Sequence, residues 1–198
     1  PLLTRVAVEM LRAGGNAMDA AICASAVQAV VEPQSTGIGG DCFVLYCPAG
    51  KDDVIALNGS GRAPAQATVD WFIDRGFNAI PTYGPHAVTI PGAIDAWCRL
   101  LRDHGRKTLA EVLAPAIHYA EAGYVVHDRV AVDWAAAADL LAADPQSAAI
   151  FLPNGQAPKA GDVHRQPDLA RTLRLIAERG RDGFYKGAIA QAMVGRRA

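Results

Sequence analysis

Apolar positions fall at helical spacing over the first 31 residues. Val6, Met10 and Leu11 are the recurring positions. Gly14-Gly15-Asn16 then breaks the pattern, as a helix C-cap followed by left-handed residues would. Met18 to Val31 is rich in alanine and carries small residues on every face. A helix of that kind lets its neighbours come close and is expected to be buried. Glu32-Pro33 closes it, because the residue before a proline avoids the α region.

The pattern changes at residue 34. Gln34 to Asp41 is a glycine-rich loop. Cys42 to Tyr46 is a short apolar run with aromatics, so a strand is predicted. Pro48 to Asp53 supplies a turn and Val54 to Leu57 a returning strand. Asn58 to Pro64 is a second glycine-rich loop. A helix followed by a strand hairpin points to a layered α+β protein rather than a βαβ unit.

From residue 91 the chain reads as mostly helical. Pro91 opens a helix that runs to about His104. Thr108 and Glu111 fit a capping box, with Thr108 as N-cap. Leu113, Ile117 and Ala120 then line one face, and Gly123 ends the helix. Asp128 to Ala143 is alanine-rich and predicted helical. Pro153-Asn154-Gly155 is a turn. Pro167 to Arg179 is a helix with Leu169, Leu173 and Ile176 on one face, stopped by Gly180. Gly187 to Val194 is the last predicted helix. The chain has no internal repeat.

Length and composition narrow the class. At 198 residues the chain is one domain, or one with part of a second. Such a chain buries about 70% of its unfolded surface, enough for a real core. Hydrophobic residues are 51% and charged residues 20%, as in folded globular proteins. The net charge of −1 leaves no electrostatic footprint for nucleic acid. No apolar run approaches the roughly 20 residues of a membrane helix. Pro1-Leu2-Leu3-Thr4 has neither a basic n-region nor an initiator Met, which predicts an interior or trimmed segment. The compartment stays open between cytoplasm and periplasm.

Candidate chemistry is sparse. Cys23, Cys42, Cys47 and Cys98 form no C-x-x-C, and no two histidines are spaced as H-x-x-x-H. No metal site is predicted, and the thiols are expected to be buried and free. Gly37-x-Gly39-Gly40 follows a helix and opens a strand, the reverse of a dinucleotide fingerprint. The expectation there is glycines that let backbones approach or take positive φ. Pro1 is followed by a helix, not by the strand of an N-terminal-proline tautomerase. Gly59-Ser60-Gly61 lacks the spacing of a nucleophile elbow. Asp52 and Asp53 lie in a predicted solvated turn. The chain therefore holds one Arg in a glycine-rich loop but no complete catalytic set.

Two blocks carry more. Arg12-Ala-Gly-Gly-Asn-Ala-Met-Asp-Ala-Ala21 is followed by Val31-Glu-Pro-Gln-Ser-Thr-Gly-Ile-Gly-Gly-Asp41. Val88-Thr-Ile-Pro-Gly92, Thr108 to Ala116, Pro167 to Leu173 and Gly183-Phe-Tyr-x-Gly187 extend the pattern along almost the whole chain. In this order they resemble the gamma-glutamyltranspeptidase family. The resemblance implies an N-terminal nucleophile hydrolase with a four-layer αββα sandwich. Residues 1–198 would then be the N-terminal part of the large subunit, supplying helices and a hairpin. The partner would be a small subunit cut from the same precursor, with a dimer of these heterodimers left open.

In that family the new N-terminal Thr of the small subunit is the nucleophile and its free amine the base. An acyl-enzyme forms on gamma-glutamyl amides such as glutathione and passes to water or an amine. The resemblance implies no metal and no organic cofactor. The T-x-H-like cleavage block occurs nowhere here; Thr36, Thr68 and Thr82 are not followed by it. The nucleophile is thus expected downstream of Ala198 or in another chain.

One departure touches the substrate. The peptidases carry an R-E-x-A-P block whose Arg binds the donor α-carboxylate. Aligned on Ala63-Pro64, that Arg falls on Ser60, and this chain has its arginine at Arg62. The loop looks like that of the gamma-glutamyltranspeptidase-like acylases. Arg62 and Ser60 are the substrate-binding candidates, with Arg62 able to swing on a flexible loop or to pair with a structural carboxylate. A non-catalytic binding homologue that has lost its nucleophile half is the alternative from another class.

Overall fold

A computed structural model describes residues 1–195. The fold is α+β and helix-rich. Helices α1 (Leu2–Arg12) and α2 (Ala17–Val31) pack against each other, and a hairpin of β1 (Cys42–Tyr46) and β2 (Ile55–Gly59) follows. A short α3 (Val69–Ile73) lies in the excursion before α4 (Ala93–His104) and α5 (Leu109–Ala122). β3 (Tyr124–Val125) pairs antiparallel with β4 (Val163–His164) across α6 (Asp128–Ala136), α7 (Ala138–Ala142) and α8 (Pro145–Phe151). The chain then forms α9 (Pro167–Arg179), α10 (Arg181–Tyr185) and α11 (Gly187–Gly195).

The alanine-rich α2 is the centre. Ten of its 15 residues are buried, and α1, α4 and α5 pack around it. Small side chains permit that approach from several directions, as the sequence predicts. Val27, Val30, Ile94, Leu113, Leu173 and Ile176 are wholly buried. Each contributes roughly 1.5–3 kcal/mol by leaving water. Val6 and Met10 face this core, whereas Leu11 is 49% exposed. One residue past Met10 is about 100° round the helix, which turns Leu11 to solvent.

The break between α1 and α2 is more specific than a left-handed stretch. Only Gly14 has positive φ, at 86°. Asn16 is extended at φ −104° and is the N-cap of α2. Its side chain accepts from the backbone of Met18 and Asp19, and the Asp19 carboxylate accepts from the backbone of Asn16 at 2.7 Å. The wholly buried Asp19 also accepts from Arg106 N at 3.0 Å and Lys107 N at 3.1 Å. Asn16 donates to His104 O at 2.7 Å. One sequence block therefore caps α2 and clamps the α4–α5 turn. The predicted Thr108–Glu111 capping box is present, and bonds from the Thr108 backbone and hydroxyl and from Lys107 hold the Glu111 carboxyl down at about 2.

Three departures have physical causes. The returning strand is Ile55–Gly59, not Val54–Leu57, because Tyr46 pairs with Ile55 and Cys42 with Gly59. The predicted helix over 128–143 breaks at Ala137, where φ −93° and ψ 2° end α6. The break folds α8 back, so that the buried Trp134 indole donates to Phe151 O at 2.7 Å. The short elements α3, β3, β4, α8 and α10 lack a period long enough to be legible. Among the described residues no helix is long and apolar enough to cross a membrane.

His164 on β4 is 5% exposed and sits against the rings of Tyr124, Trp134 and Phe151. Its Nε2 has no partner among the described residues. Burial holds its pKa below the usual histidine value. As pH falls below about 6.5, the unfolded chain takes up a proton that the folded chain resists. Stability is thus full above that pH and declines through the folded pKa. The expected result is a Tm that drops more steeply on acidification in the parent than in His164→Leu. Equal slopes in a thermal-melt series from pH 7.5 to 5 would remove His164 as the cause.

Candidate functional site

The hairpin brings the two glycine-rich loops to the same end. Loop 34–41 leads into β1, and the second loop, residues 60–64 once Asn58 and Gly59 are counted in the strand, leaves β2, with Cys42 opposite Gly59. A third segment, residues 88–92, closes onto both. Gly92 N and Ala93 N each donate to Gly40 O at 3.0 Å, and Ile90 N donates to Arg62 O at 3.0 Å. Tyr185 on α10 fixes this segment from behind. Its hydroxyl donates to Pro91 O at 2.6 Å and accepts from Asp95 N at 3.2 Å.

The backbones of the three segments lie directly against one another. A Cβ on Gly61 would stand 1.7 Å from Ile90 O, and one on Gly92 2.0 Å from Gly59 O. A Cβ on Gly59 would stand 2.6 Å from Cys42 O. The expected close approach therefore occurs, but in the second loop. Gly37 and Gly39 have open space around them, and neither has positive φ.

Asp41 ties the loops together. Its Oδ1 accepts from Gly61 N at 3.1 Å, and its Oδ2 accepts from the Ser60 hydroxyl at 3.4 Å. Ser60 N donates in turn to Asn58 Oδ1 at 2.9 Å. Arg62 is exposed, and its guanidinium has no hydrogen bond or ion pair among the described residues. No carboxylate among the described residues pairs with it. Its backbone is tied to the neighbouring segment: Gly61 leaves no room for a Cβ beside Ile90 O, and the Arg62 carbonyl accepts from Ile90 N at 3.0 Å. Only the side chain is free to aim. Asp41, absent from the sequence-derived candidates, could have been suspected from its place at the hinge between loop and strand.

No nucleophile is assembled here. Among the described residues, the hydroxyls of Ser60, Thr108 and Ser147 donate to the carboxylates of Asp41, Glu111 and Asp144, and the hydrogen bonds show no hydroxyl paired with an imidazole. Burial raises the thiol pKa of Cys42 and Cys98 and pushes Cys23 up to about 11, so these stay protonated at neutral pH. Cys23 is buried as expected, Cys42 and Cys98 are half-buried, and Cys47 is exposed. Cys47 lies at the hairpin turn, beyond the reach of the core. Its Sγ donates to Lys51 O at 3.4 Å. Among the described residues no three His, Cys, Asp or Glu side chains converge as metal ligands.

Known proteins give this junction a context. The family model described as gamma-glutamyltranspeptidase matches residues 4–197. The glutathione hydrolase-like YwrD proenzyme of Bacillus subtilis is 42% identical over 194 residues, 98% of this chain and 37% of that protein. The crystal structure of cephalosporin acylase from Bacillus halodurans superposes with a TM-score of 0.92 at 42% identity, covering 98% of this chain and 37% of its own. That of Helicobacter pylori gamma-glutamyltranspeptidase has a TM-score of 0.92 at 31% identity, covering 98% and 56%. The chain thus spans well under two thirds of each. A match that runs through both glycine-rich loops and the 88–92 segment places this chain in the gamma-glutamyltranspeptidase family.

Proposed function

We propose that the chain is the N-terminal part of the large subunit of an acyl-transferring or hydrolysing enzyme for gamma-glutamyl amides such as glutathione. The observation that carries this is the Arg62 side chain, unpaired on a fixed backbone within a family whose donors carry an α-carboxylate. Guanidinium forms a two-pronged bond to a carboxylate, and the locked loop lowers the entropy lost on binding. Ser60, two residues earlier, is the second candidate, and its hydroxyl donates to Asp41 Oδ2 at 3.4 Å. The nucleophilic Thr and its oxyanion donors come from the small subunit, and no cofactor enters. The αββα sandwich fits the hairpin: Phe43 is 67% and Leu45 79% exposed on the face away from the helices. Apolar residues on both faces suit a strand pair covered from both sides.

The arginine position favours a second reading. Arg62 stands two residues beyond the peptidase position, and the cephalosporin acylase is among the similar structures. An acylase for other amides would use the same nucleophile with a less uniform donor. Both readings predict that the isolated chain turns over no gamma-glutamyl anilide and that co-expression with the downstream polypeptide restores activity. An anilide lacking the α-carboxylate separates them, being the poorer donor for a transpeptidase and the equal one for an acylase. Turnover by the isolated chain, or none by the combination with either anilide, would overturn the enzyme reading.

A further inference from the structure

We infer that Asp41 is a positioning residue that sets donor selectivity by fixing the backbone on which Arg62 stands. This rests on the reading of Arg62 as the carboxylate anchor. The geometry is direct. Asp41 ends the first glycine-rich loop, and its carboxylate holds Gly61 N of the second at 3.1 Å. Gly61 immediately precedes Arg62. The carbonyl of Arg62 is held from the other side by Ile90 N at 3.0 Å. Arg62 is therefore bracketed by one backbone bond to the 88–92 segment and one side-chain bond to Asp41. Only the second depends on a side chain, so it is the one that sequence can change.

The carboxylate is suited to that task. A backbone N–H bonded to an ionised acceptor forms a charge-assisted hydrogen bond, stronger than a neutral one. The second oxygen takes the Ser60 hydroxyl at 3.4 Å, which turns Ser60 toward Asp41. The same group thus organises both substrate-binding candidates. Asp41 is exposed and carries no core packing. Its removal loosens residues 60–62 without opening a cavity. An anchor that must be ordered at the moment of binding costs affinity for the group it anchors. It costs nothing for a donor that lacks this group.

The test uses the complete two-subunit protein. Asp41→Ala is expected to raise KM for a gamma-glutamyl anilide about tenfold or more, with kcat little changed. KM for an acyl anilide without an α-carboxylate stays at the parent value. Asp41→Asn retains an oxygen for Gly61 N and is expected to recover most of the loss. In an Arg62→Ala background, Asp41→Ala adds no further loss, since both act through one contact. Equal losses on both donors, a failure to assemble, or no rescue by Asn overturns the positioning role. So does parent-like KM in Asp41→Ala while Arg62→Ala discriminates between the donors. An Arg62→Ala enzyme without donor preference removes the anchor itself, and the inference falls with that reading.

Discussion

Replacing Arg62 by alanine in the assembled protein is expected to lower kcat/KM on gamma-glutamyl donors by roughly 30- to several thousand-fold. Removing one partner of a desolvated charge pair costs about 2–5 kcal/mol, and each 1.4 kcal/mol is about tenfold. The structure makes the measurement clean. Arg62 is exposed and has no intramolecular partner among the described residues, so its removal orphans no carboxylate. The Tm is therefore expected to stay within about a degree of the parent. Donors without an α-carboxylate lose less. Equal losses on both donor types with a lowered Tm would make Arg62 structural. Unchanged kinetics on both would place the anchor outside residues 1–198.

Asp19→Ala is expected to act on the fold instead. Its buried carboxylate takes the backbone N–H groups of Asn16, Arg106 and Lys107. Alanine leaves these donors unpaired next to a small void. Breaking a buried charged network typically costs about 3–5 kcal/mol. At roughly 2–4 °C per kcal/mol for a domain of this size, Tm falls by about 6–20 °C. The turn has no easy substitute, because a Cβ on Gly105 would stand 2.8 Å from Asp19 Oδ1. A parent-like melting curve for Asp19→Ala would refute the clamp.

The legible part of this fold is the part with a period. α2, α4, α5 and α9 repeat apolar or small residues over ten or more positions, and their positions follow. The Gly-Gly-Asn-Ala-Met-Asp block was readable as a family mark but not as a clamp. Its partner turn lies 87 residues away along the chain, and no local pattern encodes such a distance. The site behaves in the same way. Arg62 stands out as the one base among glycines, whereas Asp41 matters only because the hairpin sets it beside Gly61. The excursion over 65–87 is opaque for another reason. Its short α3 is held by a cluster of Trp71, Phe72, Phe77 and His86 rings rather than by a repeating face.

The contact of Gly59, Gly61 and Gly92 with neighbouring backbone also governs how this site can be re-engineered. At these three positions every side chain meets main-chain atoms, so mutagenesis there tests folding and not selectivity. Asn58 holds the turn through Ser60 N, which removes a fourth position. A library aimed at donor selectivity is best confined to positions 60 and 62, with Asp41 kept because its carboxylate holds Gly61 N. Those two side chains can be exchanged while Asp41 and the 88–92 segment keep the backbone in place, which makes the junction an evolvable socket rather than an adaptable loop.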